Sequence, residues 1–144
     1  MKFIVFVCLL IPTTTFAWQH YFDAMDSMYY GYTTGIDNSK LVIRRLNEDH
    51  AEGYIEAADK ICQPKQKNIA TTVTYNIDLD TLSTPIFGLV TTDGTAMVLR
   101  FPMRFLDRLE DGEVIEFAYD DCVYEFSITG DPTLLFYKDY YAHN

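Results

Sequence analysis

Acidic side chains are the chemically capable residues that this sequence concentrates, and they form a dense run towards its C-terminal end. The run comprises Asp107, Glu110, Asp111, Glu113, Glu116, Asp120, Asp121 and Glu125. Paired carboxylates could hydrolyse glycosides. Two aspartates in a turn could also contribute to calcium binding, although the Asp-X-Asp-X-Asp-Gly spacing of an EF-hand is absent. We interpret the run either as a solvated strand face or as a binding surface for a basic partner.

Other patterns that would indicate catalysis are missing from the sequence. The histidines His20, His50 and His143 lie far apart, and no His-Glu-X-X-His pair brings two of them together as zinc ligands. There is no Gly-X-Ser-X-Gly elbow for a serine nucleophile and no glycine-rich phosphate loop. We therefore predict no catalytic residue, no metal site and no cofactor.

The formal net charge of the 144-residue chain is −10. A surface of this sign repels the phosphates of nucleic acids and anionic lipid head groups, and it attracts a basic protein. The charge could alternatively serve only to keep an exported protein in solution. The sequence does not predict an oligomeric state.

The first 17 residues have the three parts of a secretory signal peptide. Lys2 is followed by an apolar run over residues 3–11, and Thr15 and Ala17 place small side chains before a cleavage point. The run is about half the roughly 20 residues of a membrane-spanning helix. We predict export to the periplasm or beyond, and a single globular domain over residues 18–144 with no membrane span.

Two cysteines, Cys62 and Cys122, remain after the predicted cleavage. An even pair in an oxidising compartment predicts a disulfide bond. The alternative is two buried free thiols.

Two amphipathic helices are predicted in the N-terminal half. Aromatic and methionine side chains from Trp18 to Tyr32 recur at spacings of three and four, which is typical of a helix with one buried face. A second helix is predicted between Leu41 and Cys62, with small and apolar residues on one side and acidic residues on the other, and Pro64 ends it. The aromatic stripe is interpreted as a core-facing side.

The C-terminal half has the pattern of strands. Two β-hairpins are predicted, one around Asp93-Gly94 and one around Asp120-Asp121, with a short helix from Pro102 to Leu109 between them. The stretch Asn68–Ile77 could be a strand or a helix, and Leu134 to Tyr140 could be a last strand. The predicted fold is α+β: two N-terminal helices packed on an antiparallel sheet of about five strands, with the disulfide joining the halves.

A short motif gives a family resemblance. The stretch Tyr30-Gly31-Tyr32-Thr33-Thr34-Gly35-Ile36-Asp37, followed by Ile61-Cys62-Gln63-Pro64, resembles the Rap1a/Tai family of immunity proteins. Their pattern is Gly-Tyr-X-X-Gly-Ile/Val on an early helix and then Cys-X-Pro. The resemblance implies a mostly helical periplasmic protein that binds and blocks a toxic effector delivered by type VI secretion, without catalysis.

These observations predict an exported, non-catalytic binding or inhibitor protein, with an immunity protein as its most specific form. Two alternatives remain open. One is a small secreted hydrolase that uses carboxylates on envelope glycans, and the other is an envelope accessory protein that holds a small apolar ligand in a curved sheet.

Overall fold

The structure is a computed structural model of the chain, and it describes residues 17–25, 28–46, 50–59, 61, 70–80 and 83–130. Within these residues, nine strands form one antiparallel sheet that curls into a half-barrel, and a single six-residue helix follows the seventh strand. The elements are β1 (Gln19–Asp23), β2 (Met28–Thr34), β3 (Lys40–Arg45), β4 (Ala51–Glu56), β5 (Ala70–Ile77), β6 (Thr84–Val90), β7 (Ala96–Arg100), α1 (Phe105–Glu110), β8 (Val114–Tyr119) and β9 (Cys122–Ser127).

The strand order in the sheet is β1-β2-β3-β4-β7-β6-β5-β8-β9. The first four strands are paired in chain order by short connections, and so are β5, β6 and β7. These three strands lie between β4 and β8 in the reverse of their chain order, so that β7 pairs with β4 and β5 pairs with β8. Strands distant in sequence are therefore neighbours at the centre of the sheet.

The hydrophobic core lies inside the curl. Alternate residues along each central strand are buried, as in Ile115, Phe117 and Tyr119 of β8, because successive side chains of a strand point to opposite faces. The helix α1 covers part of this interior with Phe105, Leu106 and Leu109. The rings of Phe101 and Phe105 stack with centroids 4.0 Å apart, and Tyr75 meets Phe105 edge-on at 5.3 Å. The interior is thus filled by aromatic rings from several elements.

The predicted helix over residues 18–32 is wrong, since this stretch forms the hairpin of β1 and β2. Its turn includes a hydrogen bond from the Met25 N–H to the Asp23 carboxylate at 2.9 Å. Tyrosine and phenylalanine fit a pleated strand better than a helix. In the hairpin, the ring of Tyr21 from β1 meets the rings of Tyr30 and Tyr32 from β2 on one face.

The second predicted helix is wrong for a related reason. Lys40–Arg45 and Ala51–Glu56 are the antiparallel strands β3 and β4, paired over their full length. In β4 every second residue is buried, namely Ala51, Gly53 and Ile55, which is the period of a strand and not of a helix. The fold is consequently a nine-stranded antiparallel sheet, and not two helices on a sheet of about five strands.

Several predictions for the C-terminal half are confirmed. The hairpin around Asp93-Gly94 is confirmed as β6–β7, and the hairpin around Asp120-Asp121 as β8–β9. The open question over residues 68–77 is resolved in favour of a strand, β5, from Ala70. A short helix does follow Pro102, although it begins at Phe105. The predicted last strand, Leu134 to Tyr140, lies outside the described residues.

The curl brings the end of β9 back to the first hairpin. The Thr33 hydroxyl donates to the Ser127 carbonyl at 2.7 Å, and the Trp18 indole N–H donates to the Ile128 carbonyl at 3.2 Å. The Ala17 N–H reaches the Thr129 carbonyl at 3.1 Å. These bonds hold the half-barrel in its curled form.

No helix in the described ranges has the length and apolar character needed to cross a membrane. The predicted signal peptide falls almost entirely outside those ranges and stays a prediction.

Candidate functional site

The feature that best fits a binding function is a cleft of about 470 Å³, which we name the acidic cleft. The residues that line it come from three segments far apart in sequence. They are Asp37, Ser39, Ala57, Ala58, Asp59, Asp121, Cys122, Val123 and Tyr124. Three of these nine side chains are carboxylates, and none is basic.

The first wall of the acidic cleft is the turn between β2 and β3. The carboxylate of Asp37 accepts the Ser39 N–H at 3.1 Å, while the Gly35 N–H donates to the Ser39 carbonyl at 2.7 Å. A side chain at position 35 would approach the Glu125 carbonyl oxygen to 2.9 Å. The turn therefore comes close to β9, and the absence of a side chain at Gly35 permits that approach.

The second wall is the segment that leaves β4. Because Lys40 pairs with Glu56, the residues after β4 lie beside those before β3, which places Asp59 near the first turn. The segment is anchored to the β6–β7 hairpin by two backbone hydrogen bonds. The Ala57 N–H donates to the Thr95 carbonyl at 2.9 Å, and the Ile61 N–H to the Gly94 carbonyl at 2.7 Å.

The third wall is the tight turn between β8 and β9. Tyr119 pairs with Cys122, so Asp120 and Asp121 form a two-residue connection, and Asp120 has a positive φ of 48°. Asp121 and the first residues of β9 line the acidic cleft. The curl of the sheet is what brings this turn opposite Asp37, which is 84 residues earlier in the chain.

Chemically, the acidic cleft is suited to a cationic group. Three carboxylates around one concave surface produce a negative potential, and low-dielectric walls focus the field of such a cleft. A lysine or arginine side chain that entered would replace its hydration by charge-assisted hydrogen bonds to these carboxylates.

The eight carboxylates predicted as a partner surface are not one patch. Asp107, Glu110, Asp111 and Glu113 lie exposed on α1 and on the connection that leads into β8. Glu116 and Glu125 are directly opposite each other on the outer face of the β8–β9 hairpin, and Asp120 and Asp121 lie at its far end. Only Asp121 of the eight lines the acidic cleft.

Two cleft residues, Asp37 and Asp59, were not among the predicted site residues. In the sequence analysis Asp37 belongs only to the motif that carries the family resemblance, and Asp59 falls within the helix predicted between Leu41 and Cys62. Neither lies near the acidic run in sequence, and only the curl of the sheet brings them together. A correct assignment of β3 and β4 as a hairpin would have placed Asp37 and Asp59 near each other.

The predicted disulfide has one partner in the described residues. Cys122 is half-buried against the hydrophobic core and lines the acidic cleft beside Ala57, Ala58 and Asp59. Cys62 lies outside the described residues, so the pairing stays a prediction. The pairing is compatible with the position of Ile61, which is buried and whose N–H donates a hydrogen bond to the Gly94 carbonyl.

The first motif of the Rap1a/Tai resemblance, which the structure describes, does not lie on a helix. Gly31 and Tyr32 belong to β2, and Gly35 is in the turn that follows. Cys62 and Pro64 are outside the described residues. In the part of the chain that the structure describes, no group of three or more histidine, cysteine, aspartate and glutamate side chains is arranged to hold a metal ion.

No protein-family model, curated protein or solved structure matches this chain.

Proposed function

We propose that this chain is an exported, non-catalytic binding protein that holds a basic partner in the acidic cleft. In its most specific form it is a periplasmic immunity protein that neutralises a toxic effector, as the Rap1a/Tai resemblance implies. The observation that carries the proposal is the convergence of Asp37, Asp59 and Asp121 on one cleft, whose nine described lining residues include no basic side chain.

Two further features support a protein partner. The acidic cleft is bordered largely by turns, which are elements that can vary without disturbing the core. The net charge of −10 would also accelerate the encounter with a basic protein, since steering depends on the field of the whole molecule.

Affinity capture tests the proposal. Residues 18–144 are immobilised and exposed to envelope and secreted fractions at native salt, and the co-eluting proteins are identified by mass spectrometry. We expect a stoichiometric basic protein, a toxin or a hydrolase, whose binding weakens steeply as salt is raised. Recovery of an acidic partner, or of a partner insensitive to salt, would contradict the proposal.

Charge reversal locates the contact. The double variant Asp59→Lys/Asp121→Lys should lose the captured partner, because two attractive charges become repulsive. The matched control is Glu110→Lys/Asp111→Lys, which makes the same change in net charge at exposed positions away from the acidic cleft. Equal loss in both variants would show that only overall charge matters.

The carboxylate-dependent hydrolase remains the alternative function, and the acidic cleft would supply its carboxylates. Incubation with purified envelope glycans separates the two functions. Release of reducing ends that Asp59→Asn or Asp121→Asn abolishes would favour the hydrolase and displace the binding proposal.

A further inference from the structure

A second concave feature lies on the outer face of the sheet, away from the core. Outward-facing positions of β1 to β4 carry four tyrosines, namely Tyr21, Tyr30, Tyr32 and Tyr54. The rings of Tyr21 and Tyr30 stack with centroids 5.1 Å apart, and Tyr32 is tilted at 5.9 Å from Tyr21. Beneath them Val42 is only 3% exposed although it faces outward. The side chains on the outer face therefore pack over Val42 at the centre of this part of the sheet.

Hydrogen bonds fix the orientation of these rings. The Tyr32 hydroxyl donates to the Gln19 side chain at 2.5 Å, and the Tyr30 hydroxyl accepts from Arg44 at 3.3 Å. Burial raises the pKa of the Tyr21 hydroxyl, and a hydrogen bond with Tyr54 contributes, so Tyr21 stays neutral. A set of aromatic side chains held in this way is preorganised for a ligand.

Two of these tyrosines, Tyr30 and Tyr54, border a recess of about 250 Å³ that we name the tyrosine recess. Among the described residues its lining is Tyr30, Val42, Arg44, Glu52, Gly53, Tyr54 and Val98, and none of these lines the acidic cleft. Arg44 and Glu52 form an ion pair within it, with side chains that are 31% and 25% exposed. The polar part of the tyrosine recess is thus electrically neutral and half-buried.

This composition restricts the ligand. A charged ligand would have to compete for Arg44 or Glu52 and leave the other half-buried charge without its partner, which is costly. A purely apolar ligand would remove water from the ion pair and return no hydrogen bonds. A neutral ligand with one apolar face and several hydroxyl groups avoids both costs.

We propose that the tyrosine recess binds a neutral sugar ring. The apolar C–H face of the ring lies against Tyr54, whose ring offers a planar apolar surface with a polar tip. Its hydroxyl groups replace the water around Arg44 and Glu52. The recess volume of about 250 Å³ leaves room for one ring.

Titration of isotope-labelled protein, residues 18–144, tests the proposal. The probes are maltotetraose, cellotetraose and chitotetraose as neutral oligosaccharides, with tetragalacturonate as the anionic comparison. Backbone amide shifts that map to Tyr30, Val42, Tyr54 and Val98 on addition of a neutral probe are the expected result. Absence of shifts with every neutral probe at about 10 mM, shifts located elsewhere, or stronger binding of tetragalacturonate would overturn it.

Variants identify the contact. Tyr54→Ala should weaken the affinity for the bound neutral probe by about tenfold or more, equivalent to about 1.4 kcal/mol, while Tyr54→Phe keeps the ring and retains most of it. Phe87→Ala is the matched control, because Phe87 is an outward aromatic residue of β6, 52% exposed, that does not line the tyrosine recess. Equal weakening by Tyr54→Ala and Phe87→Ala would overturn the assignment.

Discussion

At the scale of single residues, Asp93 shows how one exposed side chain organises a turn. Its carboxylate accepts hydrogen bonds from the Thr91 hydroxyl at 2.7 Å, the Thr95 N–H at 3.0 Å and the Thr95 hydroxyl at 2.8 Å. These bonds favour the ionised form and lower the pKa of Asp93 to about 2. The β6–β7 turn also holds Gly94, whose carbonyl accepts the Ile61 N–H.

The lowered pKa leads to a prediction about acid stability. A carboxyl group with a folded-state pKa below its unfolded value stabilises the fold above about pH 4, and the contribution is lost as the pH falls towards 2. Asp93→Asn should therefore lower the midpoint of thermal unfolding at pH 7, and the difference from the parent should shrink below pH 4. Glu110→Gln, an exposed change on α1, is the control. A difference that does not vary with pH would contradict this account.

At the scale of elements, Gly53 distinguishes the observed strand from the helix that the sequence predicted. A Cβ atom at this position would come within 3.1 Å of the Phe101 ring and still closer to the Val42 carbonyl oxygen. Glycine is therefore required because β3 and β4 approach closely on the crowded inner face.

Substitution of Gly53 by alanine should change the stability in opposite directions in the predicted helix and in the observed strand. In an exposed helix it would stabilise by about 1 kcal/mol. In β4 the added methyl group meets backbone, and we expect a loss of about 1–3 kcal/mol in the free energy of unfolding. Urea titration measures the difference, with Glu56→Ala, exposed on the same strand, as the control. A stabilising Gly53→Ala would contradict the assignment of β4.

What the sequence could predict depended on how local the signal was. Asp93-Gly94 and Asp120-Asp121 specify turns within a few residues, and both hairpins were found. The order of the strands depends on pairs such as β4 with β7, which no local pattern encodes. The acidic cleft was predicted only through Asp121, because Asp37 and Asp59 join it through the curl of the sheet.

At the scale of the whole molecule, the return of β9 to the first hairpin should contribute measurably to stability. Thr33→Val keeps the shape of the buried side chain and removes its hydrogen bond to the Ser127 carbonyl. We expect a loss of about 1 kcal/mol in the free energy of unfolding, read from urea titration. Thr72→Val, at an exposed position on β5, should change it far less. Equal effects would show that the closing bond contributes nothing.

The predicted disulfide would also stabilise the whole molecule, because it would join the β4–β5 connection to β9. Closing a loop of about 60 residues contributes roughly 3–4 kcal/mol in the chain-entropy model. Cys122→Ser should therefore lower the free energy of unfolding by about that amount under oxidising conditions and make little difference in a reductant. Peptide mapping of the unreduced protein should recover Cys62 and Cys122 together. Free thiols at both positions would exclude the bond.

The reversed insertion of β5, β6 and β7 between β4 and β8 also affects how the chain folds. The first four strands can pair as they emerge, but the second edge of β4 has no neighbouring strand until β7 follows some 40 residues later. The closing contact between Thr33 and Ser127 spans 94 residues. Because such distant pairings require loop closure before they give any stabilisation, we expect slow folding in the millisecond-to-second range. During that interval the half-formed sheet exposes the unpaired backbone edge of β4, which is a template for pairing with another chain.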